Sequence, residues 1–322
     1  MRLIAPLSGN LLAFWVMLYL SYALPLWLPG DYSSALYASS HVVLNSEQEA
    51  LLAQSTSSVP TFFEYVTRLL RGDLGRSLAY GSPISTLLLE ALPWTLALAL
   101  SAQIFAFVLG LFLGVEAIFR HGSPLERGLF HALVALESIP EIVLGVGLWL
   151  FLALFWGIFP LQGGEEPYST QKGLARLLEL GYYGFLPFLT LTLSYLPSYF
   201  LLTRAALLPQ MGAPYLKSAA TRGIAPSRLR YIHALPNALM PLLTRLTLRL
   251  PLMLFGVVLI EGIFSYPGIG SLLLSAIAKR DPALIQAIIL LLALLVMLAN
   301  SALYLLAFRF EPKNLASFKA NR

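Results

Sequence analysis

Residues 91–115 read ALPWTLALALSAQIFAFVLGLFLGV, 25 consecutive positions without a charged side chain. A helix crossing the hydrocarbon core of a bilayer needs about 20 predominantly apolar residues. A soluble amphipathic helix keeps a polar face toward water; this stretch has none, so it reads as a membrane span. Working outward, residues 142–164, 180–203 and 282–308 are also uncharged, over 23, 24 and 27 positions. Residues 12–28 give a shorter uncharged run interrupted by Pro25. Its flanks, Arg2 before and Pro29-Gly30-Asp31 after, would also suit a signal peptide. No small-x-small cleavage site directly follows, so the run reads as an uncleaved first helix. The sixth span, 238–264, carries Arg245 and Arg249 near its start and Glu261 near its end. Arginines near a helix end snorkel to the interface, and Glu261 is expected in solvent at the outer end.

Composition agrees with the spans. Of 322 residues, 58% are hydrophobic and 11% charged, against about 45–50% and about 25% in soluble domains. So few charges could not cover a water-facing surface. The absence of cysteine rules out disulfides, thiolate metal sites and a cysteine nucleophile. The net charge of +5 reports membrane topology before it reports nucleic acid, and no basic face interleaved with stacking aromatics points to a nucleic-acid partner. The fold class is therefore all-α, a polytopic membrane protein with about six transmembrane helices.

Six spans put both termini on one side. If that side is the cytoplasm, the inside segments (1–11, 116–128, 204–237, 309–322) hold 12 basic and 3 acidic residues in 72 positions. The outside segments (29–90, 162–179, 265–281) hold 7 basic and 10 acidic residues in 97. Lys and Arg concentrate on cytoplasmic loops, so both ends are expected inside. The resulting plan is an N-terminal transmembrane helix at 1–28 and an external segment at 29–90. A core with five spans follows at 91–310, containing a cytoplasmic loop at 204–237, and a cytoplasmic tail closes the chain at 311–322. Within the external segment, Asn45 to Val59 is expected to be partly helical.

The 204–237 loop is the most basic segment and the best punctuated. In MGAPYLKSAATRGIAPSRLRYIHALPNALMP (211–241), Pro214 suits a first helical turn. Good helix formers run from Tyr215 to Arg222, and Gly223 stands where a helix C-terminus favours positive φ. Pro226 can open a second helix. A short helix, a sharp turn and a second helix are predicted. Small Ala219 and Ala220 would let another protein approach the backbone, while Lys217, Arg222, Arg228 and Arg230 supply charge for that partner or for lipid head groups. An ordinary positive-inside loop with no partner reads the same residues equally well.

This segment resembles the cytoplasmic coupling motif of binding-protein-dependent ABC importer permeases: Glu-Ala-Ala, three residues, Gly, nine residues, Ile, one residue, Leu-Pro. Gly223, Leu235 and Pro236 keep the spacing; Lys217, Ser218 and His233 stand where the motif has Glu, the first Ala and Ile. The dipeptide, oligopeptide and nickel permease family is similar in these very departures. It has Tyr, a basic residue, Ser or Thr, then Ala ahead of the Gly, followed by His-Ala-x-x-Asn-Ala-x-x-Pro. This chain has Tyr215, Lys217, Ser218, Ala219, Gly223, then His233, Ala234, Asn237, Ala238 and Pro241. Further likenesses fall in order along the chain: Pro29-Gly30-Asp31, Gly72-Asp73-Leu74-Gly75-Arg76-Ser77, Ser138-Ile139-Pro140, and Phe264-Ser265-Tyr266-Pro267-Gly268-Ile269-Gly270. One departure is Glu141, where the family commonly has an apolar or aromatic residue.

The resemblance implies an ABC type I importer permease fold in a bacterial plasma membrane. It implies a second homologous permease subunit, two ABC ATPase subunits, a substrate-binding protein and surrounding lipid as partners. Tyr215, Lys217, Ser218, Ala219, Ala220, Gly223, Leu235, Pro236 and Asn237 would form the ATPase-coupling element. The cargo would be peptides or a related small solute; the same family also carries nickel or metal complexes, polyamines and antimicrobial peptides. No Gly-x-x-x-x-Gly-Lys-Ser/Thr loop occurs in the sequence, so ATP and Mg are expected in the partner subunits. No catalytic residue, metal site or cofactor is expected in this chain.

Charges inside spans face cavities by default. Glu137 and Glu141, four apart, are expected on one face of the third span with Pro140 opening the backbone between them. They would form a polar stripe on the substrate pathway that attracts a cationic group; solvation at the interface or pairing with an arginine are the alternatives. Arg245 and Arg249 would pair with them, pair with the second permease, or snorkel. A membrane enzyme would need a nucleophile–base constellation, and none is found. A stand-alone channel or secondary transporter would leave the 204–237 pattern without a purpose.

Overall fold

A computed structural model describes residues 14–24, 27 and 61–310; the side chains of 237, 238, 240, 241, 243–252 and 303–310 lie outside that description. Asn45 to Val59 and the tail at 311–322 are likewise outside the described residues. The named elements among the described residues are all helices, and the chain divides into two units, one of residues 1–96 and 265–297, the other of 97–264 and 298–322.

In the first unit, α1 (Phe14–Leu24) lies beside α2 (Phe62–Leu70), whose Thr61–Glu64 capping box satisfies its first free N–H groups. Tyr22 of α1 packs edge-on against Phe62, and the Gln286 amide donates to the Tyr22 carbonyl at 3.1 Å. The loop after α2 turns through Gly72 and Gly75 at φ 76° and 80°, with Asp73 accepting from the Gly75 N–H at 2.9 Å. Its far end is held by Asp281, which is fully buried. Asp281 accepts from Ser77 Oγ at 2.6 Å and from the Ala79 N–H at 3.0 Å. It also caps the Leu284 N–H of the following helix at 3.1 Å. The first turns of α3 (Ile84–Phe119), all of α10 (Ile269–Ala278) and the first part of α11 (Pro282–Phe310) enclose a core of Ile84, Leu88, Ile269, Leu284 and Ile288. Two family-like segments of the sequence, 72–77 and 264–270, therefore contribute to one unit through Ser77 and Ile269.

The second unit contains the rest of α3, then α4 (Pro124–Glu137), α5 (Glu141–Phe155), α6 (Gly173–Leu207), α7 (Pro214–Thr221), α8 (Pro226–Arg228) and α9 (Leu235–Ile263). α3 and α6 approach closely at Gly110 and Gly114. A Cβ on Gly110 would stand 2.6 Å from Tyr199 Cβ, and one on Gly114 2.6 Å from Thr203 Cβ. α6 runs through Pro187 and Pro197 without ending, and its middle is buried from Leu186 to Phe200 along one side.

By length and composition, α3, Gly173–Gly212 and Pro282–Ala302 could each cross a membrane, and α4 with α5 could form one further span, broken by a 99° bend. That bend corrects the third expected span. The expected span does not continue back through Glu137, because α4 stops there and α5 starts at Glu141 with Pro140 as its N-cap; of the uncharged run 142–164, only the part up to Phe155 is helical. α5 widens to π geometry over Trp149–Phe155 and ends there. Gly157, at φ 62°, turns the chain back, and the Trp149 indole donates to the Leu161 carbonyl at 2.7 Å. Hydropathy marks what lipid tolerates and not where the backbone ladder breaks; at this break Pro140, lacking an N–H, cannot donate into it. α3 differs in the other direction. It begins seven residues before the uncharged run and carries exposed Glu90 in its first two turns. Glu261, expected in solvent, is fully buried.

Candidate functional site

The 204–237 loop folds as its punctuation predicts. α6 tightens into a 3₁₀ turn at Leu208–Gly212, and Ala213 enters α7 in an extended conformation with Pro214 at the first helical position. α7 ends in paired bonds: the Gly223 N–H donates to the Ala220 carbonyl at 3.0 Å and the Ile224 N–H to Ala219 at 3.4 Å. This Schellman pattern requires a left-handed residue after the cap, and Gly223 supplies it at φ 74°. No atom outside its immediate surroundings comes within 4 Å of a Cβ built there, so backbone conformation, not close approach, demands glycine. Pro226 opens α8, which passes through a π-helical stretch, Leu229–Ala234, into α9. That wide turn immediately precedes Leu235 and Pro236; Pro236 cannot donate into the ladder.

α7 has two faces. Leu216 and Ala219 are buried, Leu216 in a core with Val115, Ile118, Leu207 and Ala234. Tyr215, Lys217, Ser218, Ala220 and Arg222 are exposed. The two alanines predicted to admit a partner therefore part company: Ala219 lets α7 settle on its own protein, and Ala220 alone faces outward. Leu235 is half-buried and Pro236 exposed, while the Asn237 side chain lies outside the described residues.

The cations also divide. Lys217, Arg222 and Arg228 are exposed. Arg230, expected to serve a partner or lipid, instead donates to both carboxylate oxygens of Glu116 at 2.8 Å. The Tyr231 hydroxyl donates to the same carboxylate at 3.0 Å. Burial, reinforced by Glu116, pushes the Tyr231 phenol up to about 12, so it stays a neutral donor. At the other root of the loop, Arg204 donates from Nε and Nη2 to Glu126 at 3.1 and 3.0 Å, and Glu126 is buried. Sequence reasoning missed both pairs. The available signal was that two of the three acidic residues on the basic side of the chain lie in 116–128.

The expected carboxylate stripe does not form. Glu137 is the last residue of α4 and exposed, and Glu141 is the first of α5 and half-buried. The 99° bend between the helices removes the shared face. Glu141 instead lays its carboxylate against Gly256 of α9, where a Cβ would land on it. Nearby, the Tyr195 hydroxyl donates to the Met253 carbonyl at 3.0 Å. Arg245 and Arg249 lie on α9, and their side chains are outside the described residues.

Comparison with known proteins bears on this arrangement. Residues 106–315 match the family described as binding-protein-dependent transport system inner membrane component. The di/tripeptide transport system permease protein DppB of Pseudomonas aeruginosa is 32% identical over 305 residues, covering 89% of this chain and 90% of that protein. The dipeptide transport system permease protein DppB of Escherichia coli is 27% identical over 314 residues, covering 91% and 92%. The oligopeptide transport system permease protein AppB of Bacillus subtilis is 28% identical over 263 residues, covering 80% and 82%. Among solved structures, a chain of the MetNI methionine ABC transporter in an inward-facing conformation superposes with a TM-score of 0.57 at 21% identity. The match covers 71% of this chain and 98% of that one, a likeness of fold.

Proposed function

The chain belongs to the family of binding-protein-dependent transport system inner membrane components, and from that premise we propose that its 204–237 loop is where ATP hydrolysis in partner subunits is converted into movement of its helices. It is a permease subunit of an ABC importer, a transport subunit resident in the inner membrane. The observation that carries the coupling reading is the two-sided α7: Leu216 and Ala219 anchor it while Tyr215, Lys217, Ser218, Ala220 and Arg222 remain exposed. A short helix seated this firmly, with a polar basic rim left outward, suits a groove on an ATPase. In this reading both termini and the loop are cytoplasmic, as the basic-residue bias supports. Two ATPase subunits hold the ATP and Mg, a second homologous permease completes the pathway, and a binding protein delivers cargo from outside. Gly223, Leu235 and Pro236 fix the turn and the entry to α9 instead of meeting the ATPase. Transport is rocking of packed helices between two arrangements.

The cargo is a short peptide, the class named for several relatives. Glu141 gives that cargo a contact for its amino group. It is a half-buried carboxylate at a helix break, the kind of intramembrane charge that lines a path. Glu137, exposed on the other side of the bend, is not part of it.

The test is a pull-down of tagged chain from native membranes in mild detergent, with partners identified by mass. Recovery of an ATPase bearing a phosphate-binding loop together with a second permease is expected, as is loss of the ATPase on Lys217→Glu/Arg222→Glu. A chain recovered alone would overturn the reading in favour of a self-sufficient channel or transporter.

A further inference from the structure

Resting on the coupling reading of the 204–237 loop, we propose that Glu116 and Glu126 are positioning residues that clamp that loop at both roots, so that it and the 116–128 connection move as one body. The evidence is an arrangement that occurs twice. At the first root, the Arg204 guanidinium donates to Glu126 at 3.1 and 3.0 Å and sits 4.8 Å over the Phe130 ring. At the second, Arg230 donates to Glu116 at 2.8 Å through two contacts and sits 5.4 Å over the Phe119 ring. Each cation is held between a carboxylate and an aromatic face, and the two carboxylates flank the turn that joins α3 to α4, Glu116 at the end of α3 and Glu126 at the start of α4. A positive-inside loop needs no such partners. Lys217, Arg222 and Arg228 satisfy that bias while staying exposed.

The two ends of the clamp are not equivalent. Glu126 lies in the first turn of α4 behind the Ser123 N-cap, where a carboxylate meets the positive end of the helix dipole. It is favoured there before Arg204 arrives, and it is buried. Glu116 lies in the last turn of α3, where the dipole opposes a carboxylate. Only the cations and hydroxyl gathered on it make that position favourable: Arg230, Tyr231 at 3.0 Å, and Arg120 at 3.6 Å. Two of these three partners, Arg230 and Tyr231, belong to the loop. Lifting the loop off α3 would strand Glu116 at the wrong end of a helix, so the loop resists sliding and drags α3 with it. Arg204–Glu126 is the fixed anchor, and Arg230–Glu116 is the joint that carries the load.

The experiment uses the whole transporter, permease pair, ATPases and binding protein, in proteoliposomes, and measures substrate imported per ATP hydrolysed. Glu116→Arg and Arg230→Glu are each expected to keep the ATPase bound, because neither residue lies on the exposed rim of α7. Each should lower import per ATP about tenfold, within the range of coupling energies for residues in contact. The swapped double variant should recover most of that loss, and Arg230→Lys should fall between. Tyr231→Phe, which removes one donor without removing charge, gives a milder loss and serves if a reversal prevents folding. Wild-type stoichiometry in Tyr231→Phe and Arg230→Lys, or no recovery in a double variant that still assembles, overturns the clamp. Lys217→Glu/Arg222→Glu, run in parallel, separates the two readings. If that variant keeps its ATPase, the coupling loop itself is refuted; if it loses the ATPase while the clamp variants import normally, only the clamp is.

Discussion

Gly110→Ala and Gly114→Ala, singly and together, test whether the two long helices of the second unit meet through a glycine face. The two glycines are four apart on α3, hence on one side of it. An alanine Cβ at 110 would lie 2.6 Å from Tyr199 Cβ and 3.1 Å from both the Leu196 carbonyl oxygen and the Phe200 nitrogen. At 114 it would lie 2.6 Å from Thr203 Cβ, 2.8 Å from its Cγ2 and 3.1 Å from the Phe200 oxygen. Unstrained carbon contacts stand at about 3.5–4.0 Å, so each methyl falls short by roughly 1 Å. Apart from Thr203 Cγ2, the obstacles are backbone and Cβ atoms, which no rotamer change can remove; the helices must part. Overpacking of this kind costs about 1–3 kcal/mol, while glycine to alanine inside a helix returns about 1 kcal/mol. The net loss is up to about 2 kcal/mol for each single variant. The double variant loses less than twice that, since once the helices have parted for one methyl the other has room. Separation would also loosen the hydrogen bond between Gln103 and Tyr199 and the edge-on contact of Phe107 with Tyr199 at 5.3 Å.

The assay is thermal unfolding in detergent, with Gly128→Ala and Gly147→Ala as internal controls. Both control positions are helical, and a Cβ there meets nothing within 4 Å. They should melt at or above the wild-type temperature, whereas Gly110→Ala and Gly114→Ala should melt several degrees below it. The opposite signs for one chemical change are the signature. Equal melting of all four would refute close packing of α3 against α6.

Gly223→Val forces a β-branched residue to φ 74° in open space, at about 1–3 kcal/mol of strain. It should therefore reduce ATPase recovery in the pull-down, while Gly223→Asn, which tolerates that region, should retain it. Asp281→Ala removes the shared acceptor of Ser77, Ala79 and Leu284. At about 1–3 kcal/mol for buried donors left unmade, it should lower the detergent melting temperature, and Asp281→Asn should lower it less. Gly256→Ala adds a methyl whose nearest atoms would be the end of the flexible Glu141 side chain. Its melting should hardly change, but import of cationic peptides relative to neutral ones should fall as it does in Glu141→Gln; unchanged discrimination in both would remove Glu141 from the pathway.

What could be read from the sequence was what local chemistry decides. Pro214, Gly223 and Pro226 are punctuation acting within a turn of where they stand, and the short helix, turn and second helix follow from them. Uncharged runs located α3, α6 and α11, because a span's length is dictated by lipid. Their ends escaped, since backbone hydrogen bonds carry α3 on to Phe119 past Glu116 and carry α6 back to Gly173 past Glu179. The break at Ser138-Ile139-Pro140 was visible as residues, but its 99° angle depends on which neighbours receive the two halves. What stayed hidden was pairing between distant positions. Arg230 and Glu116 stand 114 residues apart, and nothing in either neighbourhood names the other. The same ignorance misassigned Ala219, because which side of α7 is inward is settled by Val115, Ile118 and Leu207, not by α7 itself. In a membrane protein this limit is sharper than in a soluble one. Hydropathy distinguishes lipid from water but not lipid from protein, so the faces that bind one helix to another carry the same apolar letters as those that face the bilayer. Only small residues and charges, such as Gly110, Gly114, Gly256, Glu116 and Glu126, break that degeneracy, and these are the positions where the structure added most.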